Sequence, residues 1–206
     1  MAKIITTKEA LKLVKNKDHI VAGMAASEGR EFFMNLHSLH GKVEHVTIDN
    51  CLPLYPYEFM INEKYKDTFT VNSWFFSGDL RKAFKNTNIS FIPNQLHFAG
   101  VRRADHQKPN IFVGNATPPD KHGYVSLSLS NVYEKEMLRH ADTVILEINP
   151  NLPRTLGDLE VHESEVDYFV KVDYEAPVLP DIEPSEKDVL IGNTLQNILK
   201  MGTQSN

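Results

Sequence analysis

The stretch Pro118-Pro119-Asp120-Lys121-His122-Gly123-Tyr124 sets a carboxylate, an ammonium and an imidazole side by side in a segment with little conformational freedom. The two prolines fix φ at consecutive positions, Gly123 permits positive φ, and Asp120 has the reach to accept bonds from amides two or three residues on. Ile111-Phe112-Val113 stands before this elbow, which spans residues 114–130 together with its flanks. The half-exposed alternation of Tyr124 to Leu129 follows it. A rigid loop at a strand end is where α/β folds carry ligand chemistry. A turn that only reverses the chain fits the same residues, and physical reasoning leaves the two readings even.

A second candidate is Gly23-Met24-Ala25-Ala26-Ser27-Glu28-Gly29, between the buried run His19-Ile20-Val21-Ala22 and the helical spacing of Phe32, Phe33, Leu36 and Leu39. It stands where a dinucleotide fingerprint would stand, but it lacks the G-x-G pair that admits a pyrophosphate, which argues against NAD. The spacing leaves two readings. One is a small-residue loop whose amides meet an anion or a carbonyl oxygen; the other is close strand–helix packing. Glu28 is a carboxylate there, and a glutamate in a first helical turn is favoured by the helix dipole in any case.

Other groups carry weaker chemistry. His37 and His40 share a helical face, but no carboxylate or thiolate at ligand spacing joins them, so no metal site is expected. Arg102-Arg103, Lys108, Lys121 and His122 have the charge to meet phosphates, although short basic runs are ordinarily solvated loop faces. Neither G-x-S-x-G nor H-E-x-x-H occurs.

The elements that must hold these groups alternate between strand and helix, the pattern of a layered α/β fold. Strand signals fall at residues 19–22, 43–49, 69–76, 89–92, 109–113, 124–129, 143–148 and 166–172. Helical signals fall at residues 78–85 and 131–140, and the capping-box spacing of Thr6 and Glu9 predicts a first helix through Val14. Residues 174–184, with their spaced prolines, read as a linker. Ser185 then caps a last helix with Asp188 three residues on, and Ile191, Leu195, Ile198 and Leu199 form its apolar stripe.

Composition bounds the class. The 206 residues suffice for one sizeable α/β domain, and 41% hydrophobic with 24% charged residues is a globular balance. A net charge of -5 argues against a nucleic-acid surface, and no apolar run spans a bilayer. One cysteine, Cys51, leaves no intramolecular disulfide, and without a signal-peptide pattern the expected location is the cytoplasm.

Three stretches together resemble the amino-terminal domain of the acetyl-CoA hydrolase/transferase family, which includes acetate and 4-hydroxybutyrate CoA-transferases. They are VAGMAASEG (21–29), SFIPNQLHFAGVRR (90–103) and TPPDKHGYVSLSLSN (117–131), and SEKDVLIGN (185–193) extends the similarity. The family loop usually ends in glutamate followed by proline, whereas Gly29 follows Glu28 here. The resemblance implies an α/β fold with an open, mostly parallel sheet flanked by helices, a CoA-transferase or NagB-like half, trailed by a linker and a helix. The implied division is an amino-terminal domain at 1–173, a linker at 174–184, and the first helix of a second domain at 185–206.

The resemblance also implies short-chain acyl-CoA:carboxylate CoA-transfer in a cleft between two domains. A glutamate carboxylate attacks the acyl-CoA thioester, releasing CoA thiolate and leaving an acyl-glutamyl anhydride. The thiolate then displaces the first carboxylate to give a glutamyl-CoA thioester, which passes CoA to the incoming carboxylate. In the family that glutamate lies in the second domain, with the CoA-holding loops. Glu28 and Glu147 do not match its motif, so no catalytic residue is assigned within this chain. The pocket residues carried over are Gly23, Met24, Ala25, Ser27, Glu28, Asn94, Gln95, Pro118, Pro119, Asp120, Gly123 and Tyr124. Expected partners are coenzyme A or acyl-CoA as substrate with no permanently bound cofactor, a carboxylate, a second CoA-transferase domain in cis or in trans, and possible homo-oligomers. A non-catalytic binding remnant and an acyl-CoA thioester hydrolase remain as alternatives.

Overall fold

The structure, a computed structural model, describes residues 2–85, 87–179 and 181–203, with side chains through residue 200. Eight parallel strands form one sheet in the order β1-β10-β8-β6-β2-β3-β4-β5. They are β1 (Lys3–Ile5), β2 (His19–Ala22), β3 (Val46–Asn50), β4 (Phe69–Ser73), β5 (Ile89–Phe91), β6 (Ile111–Ala116), β8 (Thr143–Ile148) and β10 (Tyr168–Lys171). β7 (Tyr124–Ser126) and β9 (Glu160–His162) make a separate antiparallel pair. The helices are α1 (Thr7–Leu11), α2 (Arg30–Asn35), α3 (Glu58–Ile61), α4 (Gly78–Ala83), α5 (Val101–His106), α6 (Glu134–His140) and α7 (Glu186–Thr203).

The central strands are apolar on both faces because both faces are covered, as a parallel sheet requires. Ile20, Ala22, Ile111, Val113 and Ile145 face a core with Phe32, Phe33 and Leu36, whereas Val21, Phe112, Val144 and Leu146 face a second core with Trp74, Tyr133 and Met137. Fully burying each large apolar side chain contributes about 1.5–3 kcal/mol, so these paired cores fix the strand register. β2 pairs with β3 on one side and β6 on the other; the chain winds outward from β2 to β5, then crosses to β6 and winds the other way. The carboxyl ends of β2 and β6 are therefore the point where the winding reverses, the place where open α/β sheets bind ligands.

Several sequence expectations move. The strand read at 124–129 is only β7, outside the main sheet, because Ser128 takes φ 61 and turns the chain. The strand read at 43–49 starts at Val46, since His45 has φ 56. β6 runs on through Gly114-Asn115-Ala116, so the elbow begins three residues later than its sequence suggests. α1 ends at Leu11, and α2 passes into a 3-10 turn at Leu36–Leu39. The Thr6–Glu9 capping box is formed, with the Glu9 carboxylate accepting from Thr6 N at 2.8 Å.

Two compact units divide the chain, Met1–Ala176 and Pro177–Asn206. The second contains α7, capped by Ser185 and Asp188 through reciprocal bonds of 2.8 and 3.3 Å. On α7, Ile191, Leu195 and Ile198 are all more than half exposed. Among the described residues no helix is long and apolar enough to cross a membrane.

Candidate functional site at the sheet switch point

The loop after β2 leaves the sheet through a constriction. A Cβ at Gly23 would stand 2.2 Å from the Ser27 carbonyl oxygen, a contact only glycine avoids. Ala25 takes φ 48, a left-handed geometry that costs an L-residue about 1–2 kcal/mol. It is held there by its amide bond to the Cys51 carbonyl at 3.1 Å. Met24 N donates to Glu134 Oε1 at 2.8 Å, while Glu134 Oε2 accepts from Val132 N and Tyr133 N at 2.7 and 3.0 Å.

These bonds correct the amide-cradle reading of residues 23–29. The amides of Gly23, Met24, Ala25, Ser27 and Glu28 are all taken by protein acceptors. The first amides of α2 are taken as well: Glu147, on β8, accepts from Phe32 N at 2.7 Å and Glu31 N at 3.2 Å. Met24, Ala25 and Ala26 are the half-buried residues of the loop, with Met24 packed against the second core.

Glu28 precedes α2 and is not in its first turn, which corrects the helix-dipole account. Only 2% exposed, it joins three strand ends. Its carbonyl accepts from Asn115 Nδ2 on β6 at 3.1 Å, and its Oε1 accepts from Leu54 N, in the loop after β3, at 3.0 Å. Burial pushes its carboxyl pKa up to about 8, the Leu54 amide and Tyr57 hydroxyl only partly offset this, and nearby Glu147 adds to the rise. The Tyr57 hydroxyl acts on Glu28 from outside hydrogen-bond geometry.

Glu147 is fully buried, and burial lifts it to about 7 against the amides of α2 and the Tyr174 hydroxyl, which donates to Oε2 at 2.9 Å. The Arg30 guanidinium sits over the rings of Tyr55 and Tyr174, 4.7 and 5.1 Å from their centroids. Tyr55, from the loop after β3, is thereby linked to Tyr174, at the end of the first unit.

The elbow after β6 is built differently. Its tip is exposed and tied by polar bonds. Asp120 Oδ1 accepts from His122 N at 2.8 Å and Tyr124 N at 2.9 Å, which holds its carboxyl below the usual range, and Arg154 approaches Oδ2 at 3.2 Å. Gly123 takes φ 81, its N–H bonds the Asp120 carbonyl at 3.0 Å, and its own carbonyl accepts from Glu163 N at 2.8 Å. Pro118 is exposed and Pro119 half-buried. Tyr124 is 42% exposed, with its ring edge-on to His162 at 5.0 Å.

Buried polar atoms gather at these strand ends. Ser27 Oγ, Asn50 Oδ1, Trp74 Nε1 and Asn115 Oδ1 have no hydrogen-bond partner among the described residues. Buried polar groups ordinarily find one. Four such atoms near the ends of β2, β3, β4 and β6 give the switch point unused bonding capacity.

Other sequence candidates lie elsewhere. Asn94 and Gln95 follow β5, three places from β2, and neither side chain has a hydrogen bond among the described residues. Arg103, read as a loop cation, is on α5 and buried: its Nη2 lies 2.5 Å from Asp49 Oδ2, which His19 Nε2 also approaches at 3.0 Å. Burial works to raise Asp49, but the contacts with His19, Arg103 and Asn72 outweigh it and hold the carboxyl low. Arg102 stacks over Phe98 at 3.8 Å, and Lys108 pairs with Asp142. His40 Nδ1 meets Thr68 Oγ1 at 2.8 Å, and both His37 and His40 pack on Tyr65. Among the described residues no three His, Cys, Asp or Glu side chains stand together as a metal site would need.

Sequence reasoning passed over Glu134, Tyr57, Tyr174, Arg30 and the structural part of Glu147. A signal existed for the last: a lone glutamate within Val144-Ile145-Leu146-Glu147-Ile148 is a carboxylate in a strand otherwise buried on both faces, which demands a partner.

A parallel sheet whose winding reverses at β2 and β6, with two shaped loops at that reversal, defines an open α/β fold with a topological switch point. The chain belongs to the acetyl-CoA hydrolase/transferase N-terminal domain family, whose model matches residues 1–180. It is 32% identical over 192 residues to a probable butyrate:acetyl-CoA coenzyme A-transferase of Syntrophomonas wolfei, covering 91% of this chain and 43% of that protein. It is 29% identical over 203 residues to a succinyl-CoA:cyclohexane-1-carboxylate CoA transferase of Geobacter metallireducens, covering 98% of this chain and 46% of the other. The chain thus spans about half the length of these curated relatives. The crystal structure of RipA from Yersinia pestis shares the fold with a TM-score of 0.82 at 22% identity, over 89% of this chain and 45% of that one.

Proposed function

We propose that this chain is the amino-terminal half of a short-chain acyl-CoA:carboxylate CoA-transferase, and that its switch-point loops form one wall of the acyl pocket. The nucleophilic carboxylate comes from polypeptide outside these 206 residues. The observation that carries this reading is that the buried acids and the thiol at the switch point are all occupied or poorly ionised. Glu28, at about 8, is mostly neutral at pH 7 and bonded to Leu54 N; Glu147 accepts three donors and is fully buried. Cys51 is buried, and burial pushes its thiol up to about 11. A neutral or fully bonded group is a weak nucleophile.

These acids position the wall instead. Glu28 fixes the loop after β2 against the loop after β3 and the end of β6, so that Met24, Leu54 and Tyr55 keep one arrangement. The elbow adds Pro119 and Tyr124. Rigid walls matter because a 1 Å misplacement of a reacting group can cost about a hundredfold in rate. The pocket residues are therefore Gly23, Met24, Ala25, Ser27, Glu28, Pro118, Pro119, Asp120, Gly123 and Tyr124, with Asn94 and Gln95 as outlying members. The test is CoA exchange between acetyl-CoA and a second short carboxylate. The 206-residue chain alone is expected to show no exchange above the uncatalysed rate. Robust turnover by the chain alone would refute the placement of the nucleophile.

A further inference from the structure

A groove of about 660 Å³ lies between α1 and the 35–42 segment, and none of its lining residues belongs to the switch-point loops. Lys8 on α1 and Lys12 just past its end line one side and Lys42 the other; Leu11 and Leu39, 6% and 7% exposed, form its floor. Its volume is within the range of small-molecule sites, roughly 300–1,000 Å³.

The charge arrangement is the second observation. Lys8 on α1 and Lys12 at its carboxyl-terminal cap are four residues apart in αR backbone, close enough for like charges to repel. Lys42 donates to the Ser38 carbonyl at 3.0 Å, which leaves its charge uncompensated. Among the described residues no ion pair involves Lys8, Lys12 or Lys42, whereas Lys66, Lys82, Lys108 and Lys135 each have a carboxylate partner. Glu9 feels Lys12 but is bonded back to Thr6. A chain of net charge -5 thus concentrates three unpaired cations around one apolar-floored concavity. Low-dielectric walls focus such a field toward an anion.

We propose that this groove binds a small molecule carrying a polyphosphate on a ring-bearing body, the chemical class of a nucleoside triphosphate. The lysines take the phosphates, and the leucine floor takes the ring. Titration calorimetry on the full chain tests this with ATP, inorganic triphosphate and adenosine as probes at matched ionic strength. ATP is expected to bind saturably and more tightly than either of the others. The Lys8→Gln/Lys12→Gln/Lys42→Gln variant is expected to weaken ATP by about tenfold or more, the sum of three modest surface pairs. The Lys15→Gln/Lys17→Gln control, which removes exposed charge outside the groove, is expected to keep wild-type affinity. Any of three results overturns the proposal: no saturable ATP binding, equal loss in both variants, or adenosine or bare triphosphate binding as tightly as ATP.

Discussion

The loop after β2 and the elbow after β6 meet at the same reversal of the sheet but keep their shapes by opposite means. The first is held from below, by a glycine with no room for a Cβ, a left-handed alanine, and two buried carboxyls that gather backbone amides. The second is held from outside, by Asp120, Arg154 and a positive-φ glycine at the solvent boundary. Buried bonds are strong and all-or-none because a stranded polar group is costly, whereas exposed bonds are screened and replaceable by water. The β2 loop is therefore expected to fail cooperatively with the core, and the elbow to loosen locally.

The largest expected effect is at Gly23. Gly23→Ala forces a Cβ to 2.2 Å from a backbone oxygen that no side-chain rotation relieves, and should cost about 3 kcal/mol or more in urea denaturation, or prevent folding. A loss below about 1 kcal/mol would break the contrast between the loops.

Next comes the pH dependence. Glu28 and Glu147 have folded pKa values raised from 4.5 to about 8 and about 7, so between those limits the folded chain holds more protons than the unfolded one. Their contribution is fully present below pH 4.5 and is lost as pH rises through the folded values. Wild type should lose more stability between pH 5 and pH 8 than Glu28→Gln, by an amount on the order of a few kcal/mol. Parallel curves for the two proteins would show that Glu28 is not held neutral by burial.

Gly123→Ala is the matched test on the elbow. The φ of 81 makes it unfavourable by about 1–2 kcal/mol, and the nearest obstacle, His162 Nε2 at 2.9 Å, is a side-chain atom that can give way. It should therefore cost less than Gly23→Ala in the same assay. Smallest of all, Asp120→Asn should speed amide exchange at His122 and Tyr124 while leaving the global unfolding midpoint within error.

What was legible in the sequence was whatever lay within a few residues of its own cause. The Thr6–Glu9 box, the buried β2, the Asp120 turn and the positive φ of Gly123 each announce themselves locally. Arg103 did not, because its partner Asp49 lies 54 residues away. Glu28 looked like a helix-dipole residue because Leu54 N and Asn115, its real partners, are distant in sequence. Short elements such as β1, α3 and α5 show too little periodicity to be read, and β7 requires β9, a partner 36 residues on, before it is a strand at all. Of the two loops, the elbow was the more legible one, since its bonds are mostly local, and the β2 loop the less, since its bonds cross the sheet.

The pocket-wall account meets its most direct test in covalent trapping. The full chain is incubated with acetyl-CoA, quenched with borohydride or hydroxylamine, and its intact and peptide masses are measured. Every peptide should keep its unmodified mass, since Glu28 and Glu147 are buried and bonded, and the exposed Asp120 is already held by two backbone amides and Arg154. A reduced or hydroxamate-converted carboxyl on any residue between Met1 and Asn206 would contradict it.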